Sequence, residues 1–139
     1  MKKILLIAIF FAFVGSGFAQ SYYDADNLIN LMDAAGFDVS SDEYDTYLSE
    51  DEYDSFWKTF YGGNDYIIVA FPEEEGVYDL DLYLVDSYGN EIDKGTTENQ
   101  MEILTYSGSD DEKYKVQVKN YDSYYSSAKY HVHVLVFWK

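Results

Sequence analysis

Three stretches in the second half of the chain alternate apolar and polar residues with a period of two, a period that fits a β-strand and no helix. In residues 78–86, Leu80, Leu82 and Leu84 share one face while Asp79, Asp81 and Tyr83 share the other. In residues 113–119, Tyr114, Val116 and Val118 alternate with Lys113, Lys115, Gln117 and Lys119, and in residues 130–138 Val132, Val134 and Val136 line one side. Each stretch is expected to be a strand half buried against a second layer. Residues 67–71 are apolar without a break and suit the middle of a sheet, and residues 101–106 add a strand of mixed pattern. Turn residues separate these runs at 62–65, 88–90 and 107–110.

Upstream the period changes. Leu28, Leu31, Met32 and Ala35 follow the spacing of one helical face, which predicts a helix over residues 24–35 with acids at Asp24 and Asp26 near its start and Gly36 at its end. Residues 40–60 open on Ser-Asp-Glu, which could cap a second helix, but their Tyr and Trp content favours two strands joined near 49–51. The expectation is a mainly β protein of about seven to eight antiparallel strands, in two packed sheets with one N-terminal helix.

Residues 1–19 have the layout of an export signal: Lys2 and Lys3, an apolar run over 4–14, then small residues ending at Gly17 and Ala19. The apolar run is too short to span a bilayer, which takes roughly 20 residues. The expected organisation is therefore a signal peptide over 1–19, a helical segment over 20–40 and a β-sandwich over 41–139. The expected location is the periplasm or the outside of a bacterial cell, with no membrane span once the signal is cut.

Removing the signal leaves 120 residues with 7 Lys against 26 acids, a net charge of −19. Such a field repels phosphate backbones, so nucleic acid is excluded as a partner. The absence of Cys excludes disulfides, thiolate metal sites and a thiol nucleophile.

The segment Asp79-Leu80-Asp81-Leu82-Tyr83-Leu84-Val85-Asp86, followed by Gly89 and Asn90, resembles the bacterial pre-peptidase C-terminal domain family. The resemblance continues through the Tyr-x-Val-x-Val strand at Tyr114 to Val118 and the closing strand at Tyr130 to Val134. It reaches back to the strand at Asp65 to Ala70. It implies a jelly-roll-like sandwich that accompanies a secreted enzyme and carries no catalytic residues of its own. Some members bind calcium through acidic loops, and others bind insoluble polymers such as collagen or polysaccharide through exposed aromatics. The family's usual neighbour, a peptidase, is not expected within these 139 residues.

Asp79 and Asp81, two apart on one strand face, would hold their carboxylates about 7 Å apart, a separation that can converge on a hard cation such as Ca2+ when a loop adds oxygens. The plainer alternative is a solvated strand face. Tyr121, Tyr124 and Tyr125, among Asp122, Ser123, Ser126 and Ser127, read as a loop between the last two strands. Their flat amphipathic rings would suit a protein or polysaccharide surface, or else would fold back over the sandwich edge. His131 and His133 point the same way on a strand, but a zinc site needs a third protein ligand that the sequence does not place, so they read as surface or inter-sheet side chains. Trp57 and Trp138 read as core or sheet-end packing. No Gly-x-Ser-x-Gly turn or phosphate-binding glycine loop is present, and no carboxylate pair stands out for a glycosidase. The reading is an exported, acidic, non-enzymatic binding or accessory module stabilised by calcium. Its rivals are a small outer-membrane barrel, suggested by the terminal Phe137 and Trp138, and a secreted hydrolase.

Overall fold

The computed structural model describes residues 24–40 and 44–139. The export signal expected over residues 1–19 lies outside the described residues. Helix α1 (Ala25–Ala34) starts where expected, because the Asp24 carboxylate accepts from the Asp26 amide at 3.0 Å and satisfies a donor with no partner inside the helix. It stops at Gly36, whose φ of +82° costs little without a Cβ. There the Gly36 amide donates to Asp33 O at 2.9 Å and the Phe37 amide to Met32 O at 3.0 Å, a paired closure that brings Phe37 back onto Met32's side of the helix.

Nine strands follow among the described residues: β1 (Asp38–Val39), β2 (Tyr44–Leu48), β3 (Tyr53–Phe60), β4 (Asp65–Pro72), β5 (Val77–Val85), β6 (Glu91–Gly95), β7 (Glu102–Ser107), β8 (Glu112–Ser123) and β9 (Tyr130–Trp138). All pairings are antiparallel. One sheet runs β1-β9-β4-β7, with β2 sharing the β9 edge beside β1, and the other runs β3-β8-β5-β6. Taken from one edge, β2 and β3, β9 and β8, β4 and β5, β7 and β6 occupy matching positions in the two layers. From β2 onward the chain therefore changes sheet at every connection except the β5–β6 hairpin. This is the jelly-roll-like sandwich expected. Two sheets with separate edges are not one closed cylinder, so the barrel reading is overturned. Among the described residues no helix is long and apolar enough to cross a membrane.

Of the stretch 40–60, residues 44–60 form two strands, as the aromatic content indicated, and the join near 49–51 carries β2 in one sheet to β3 in the other, with Asp51 at a φ of +64°. Two strands escaped the pattern. β1 has two residues, and β6 is polar and exposed along nearly all its length, an edge strand with no apolar alternation to reveal it. β8 also runs to Ser123, four residues beyond its alternating part.

The core between the sheets is built from the alternating positions: Leu80, Leu82, Leu84, Val116, Val118, Val132, Val134 and Val136, closed by Phe60 and Ile68. A second apolar cluster covers the outer face of the five-stranded sheet, where Val69, Phe71, Leu135 and Phe137 meet Leu28 and Met32 of α1 and Phe37. That cover explains why β4 is apolar on both faces.

Candidate functional site

Asp79 and Asp81 both lie on β5, but in different surroundings. Asp81 is buried and its Oδ2 accepts from the Tyr83 hydroxyl at 2.9 Å. Burial, and then this bond, push the Tyr83 hydroxyl up to about 12. Asp79 is half-buried, and its Oδ1 is shielded from solvent with no hydrogen-bond partner in the protein. Burial first, and then the negative charges of Asp81, Glu98, Glu102 and Asp122, raise the Asp79 pKa above the ordinary carboxylate value. Glu102 closes this end of the sandwich. It is 3% exposed, and its carboxylate accepts from the Thr97 amide at 2.6 Å, the Thr97 hydroxyl at 2.8 Å and its neighbour the Ile103 amide at 2.9 Å. The result is one unpaired oxygen on a carboxyl that feels the charge of several other acids.

The same stretch of β5 and β8 carries two compensating register shifts. Val77 faces Ser123, Asp79 faces Asp122 and Leu80 faces Asn120, which leaves Tyr78 on β5 and Tyr121 on β8 without a partner. A bulged residue turns its side chain away from the ladder, and both rings are exposed. Tyr121 is thus a strand residue rather than a loop residue, and it lies beneath the Lys119 ammonium, 4.8 Å from its ring centre. Tyr124 and Tyr125 do lie between β8 and β9. Their rings meet edge to face at 4.5 Å, and Tyr124 meets Tyr78 edge to face at 6.5 Å. The backbone beneath is fixed, because the Tyr124 amide donates to Gly76 O at 2.7 Å and the Tyr125 amide to the Tyr130 hydroxyl at 3.1 Å. Gly76 is needed for this: its φ is +119°, and a Cβ there would stand 2.4 Å from the Tyr130 ring. Tyr124 and Tyr125 remain more than 60% exposed, so they do not fold back over the sandwich.

The tryptophans depart from expectation in part. Trp138 ends β9, but Trp57 stands in the open on the outer face of β3 at 49% exposure, with Lys113 and Lys115 at 6.0 and 5.9 Å from its ring. The strand alternation contained this, since Phe56 and Phe60 take the inner face and leave Trp57 outside. An open groove beside the β2–β3 turn is lined by Tyr47, Asp51, Glu52, Tyr53, Asp54 and Lys129. Several of its polar groups are already engaged, Lys129 with Glu52 and Thr46 with Asp54.

The histidines are on the outer face of β9, beyond the end of the apolar cluster under α1. The third ligand missing from the sequence is present there: Asp45 of β2 offers an oxygen that lies with one nitrogen of each ring inside a mutual distance of 4.8 Å. No spacing in the sequence could reveal it, because 88 residues separate Asp45 from its partner His133.

No protein-family model matches the sequence. No curated protein matches it either. Among solved structures, it is similar to the pre-peptidase C-terminal domain of collagenase from Bacillus anthracis, with a TM-score of 0.51 and 13% identity over 68% of this chain and 87% of that one. At that identity the likeness concerns the fold, and the pre-peptidase C-terminal fold expected from the β5, β8 and β9 motifs is the one observed.

Proposed function

We propose that this chain is an exported, non-enzymatic binding module that holds a tyrosine-rich end of a rigid sandwich against a protein or polysaccharide surface, with calcium bracing that end. The observation that carries the reading is the Tyr78–Tyr124–Tyr125 array, three exposed rings packed edge to face on backbone that is already hydrogen-bonded in place. Rings ordered before contact lose little entropy on binding, and Tyr gives wide contact area with few rotatable bonds. Tyr121, held by Lys119, extends the aromatic surface on β8.

The calcium part of the reading rests on Asp79 Oδ1, an unpaired oxygen whose carboxyl is subject to the negative charges of Asp81, Glu98, Glu102 and Asp122. A divalent ion ligated by Asp79 and Asp81 would satisfy that oxygen and relieve the repulsion. The solved neighbour is a domain of a collagenase, and that context favours an insoluble extracellular polymer as the surface.

Retention on fibrous collagen and on insoluble polysaccharide tests the binding reading. The native protein should be held by at least one of them, and the Tyr78→Ala/Tyr124→Ala/Tyr125→Ala variant should lose at least about tenfold in affinity at an unchanged Tm. Equal retention of both proteins, or of neither on any polymer, removes the aromatic contact. Melting in millimolar calcium against chelator tests the cation: the Tm should rise with calcium, and identical curves would remove it.

A further inference from the structure

Strand register gathers a second set of metal-ligating side chains far from the tyrosines. On the outer face of the five-stranded sheet, Asp45 and Tyr47 of β2 stand opposite His133 and His131 of the central strand β9. On the other side of β9, Phe71 of β4 stands opposite His133, and Glu73 follows directly after β4, its amide donating to His131 O at 2.9 Å. Two imidazoles on one strand are thus flanked by a carboxylate on each neighbouring segment. His131 Nδ1 pairs with Glu73 Oε2, and His133 Nδ1 lies 2.5 Å from Asp45 Oδ1. The cross-contacts are also short, with His131 Nε2 at 3.9 Å from Asp45 Oδ1 and His133 Nε2 at 3.7 Å from Glu73 Oε2.

We infer that Asp45, His131 and His133 form a binding site for a divalent transition-metal ion of the zinc class, with Glu73 holding the two rings from their opposite nitrogens. Two imidazole nitrogens and a carboxylate oxygen match what zinc takes, whereas calcium and magnesium take oxygens. A tetrahedral zinc with bonds of about 2.0–2.1 Å separates its ligand atoms by roughly 3.3 Å, and the Asp45 oxygen and one nitrogen of each ring already lie within 4.8 Å of one another. The imidazoles are already oriented. Tyr47 stacks on His131 at 4.7 Å with 10° between planes, and Phe71 stacks on His133 at 5.2 Å with 25°. The histidine side chains are only 18% and 15% exposed, while the carboxylates remain half in solvent, which leaves an entry path for the ion. Three protein ligands leave one tetrahedral position for water, and Glu73 would fix the ring orientation from the far nitrogens. The ion would tie edge strand β2 to central β9. The inference does not depend on the tyrosine array or on calcium at Asp79.

The test uses the intact protein without a polyhistidine tag, stripped with chelator and titrated with Zn2+ by calorimetry and with Co2+ by visible absorption. One Zn2+ should bind per chain, Co2+ should give the intense visible bands of four-coordinate geometry, and Tm should rise with Zn2+. His133→Gln and Asp45→Asn should each weaken Zn2+ binding at least about tenfold while leaving the calcium response unchanged. Asp45 is half exposed, so Asp45→Asn keeps the test decisive if His133→Gln fails to fold. A folded native protein that takes up no Zn2+ at about 100 µM would overturn the site. Undiminished uptake by the folded variants would overturn it equally.

Discussion

The outer faces of the two sheets are opposites. On the five-stranded sheet, Val69, Phe71, Leu135 and Phe137 are roofed by Leu28 and Met32 of α1, so β4 and the last part of β9 are apolar on both sides. On the four-stranded sheet the corresponding face has no roof among the described residues, and it carries Tyr53, Trp57, Lys113, Lys115, Gln117 and Lys119 in or near solvent. Both sheets contribute to the same inner core, so the inner face alone cannot account for the difference. Strands that alternate strictly have one covered face, and strands that read as continuous apolar runs have two. The place where α1 docks is therefore written into β4 and β9 as much as into the helix.

The sharpest way to break this comparison is to remove one large side chain from each outer face. Met32→Ala should cost about 2–5 kcal/mol, because it opens a void between α1 and the sheet. Trp57→Ala should cost about 0.5 kcal/mol, the loss of exposed contacts with Lys113 and Lys115. Denaturant unfolding of the two variants measures both, and equal effects would mean that the helix is not a true roof. A second substitution probes the crossing from β6 to β7. Glu102→Ala strips the Thr97 and Ile103 amides of a buried acceptor and should cost about 2 kcal/mol.

A smaller effect should appear at Asp79. Its folded pKa lies above the unfolded value of about 3.9, so between those two values the folded chain holds a proton that the unfolded chain has lost. Stability from this group therefore falls as pH rises through that window, and the deficit persists at neutral pH. Asp79→Asn should accordingly raise the Tm at neutral pH in chelator, with the gain vanishing below the window, and should abolish the calcium response. A Tm lowered at neutral pH would refute the unpaired acid. Tyr124→Ala should change stability least, within about 0.5 kcal/mol by the same unfolding measurement, because its ring is mostly in solvent.

The alternating leucines and valines made β5, β8 and β9 legible, and the Asp24 and Gly36 signals bounded α1 to within a residue. What the residues could not convey depends on register. Tyr78 joins Tyr124 only because a bulge turns it outward, and a bulge leaves no mark in a run of strand-forming residues. Asp45 and Glu73 reach the histidines only because β2 and β4 both flank β9, a pairing between segments 58 to 88 residues apart. Local periodicity carries no information at that range. β6 was illegible for another reason, since as an edge strand it buries almost nothing.

Hydroxyl-radical footprinting of the protein, free and bound to the polymer that retains it, tests the central claim of a stiff sandwich presenting ready-made rings. In the free state Trp57, Tyr121, Tyr124 and Tyr125 should be oxidised readily while Met32, Phe71 and Phe137 are protected, and on binding protection should appear at Tyr78, Tyr124 and Tyr125. Tyrosines as protected as Phe71 before binding, or unchanged after it, would contradict the account.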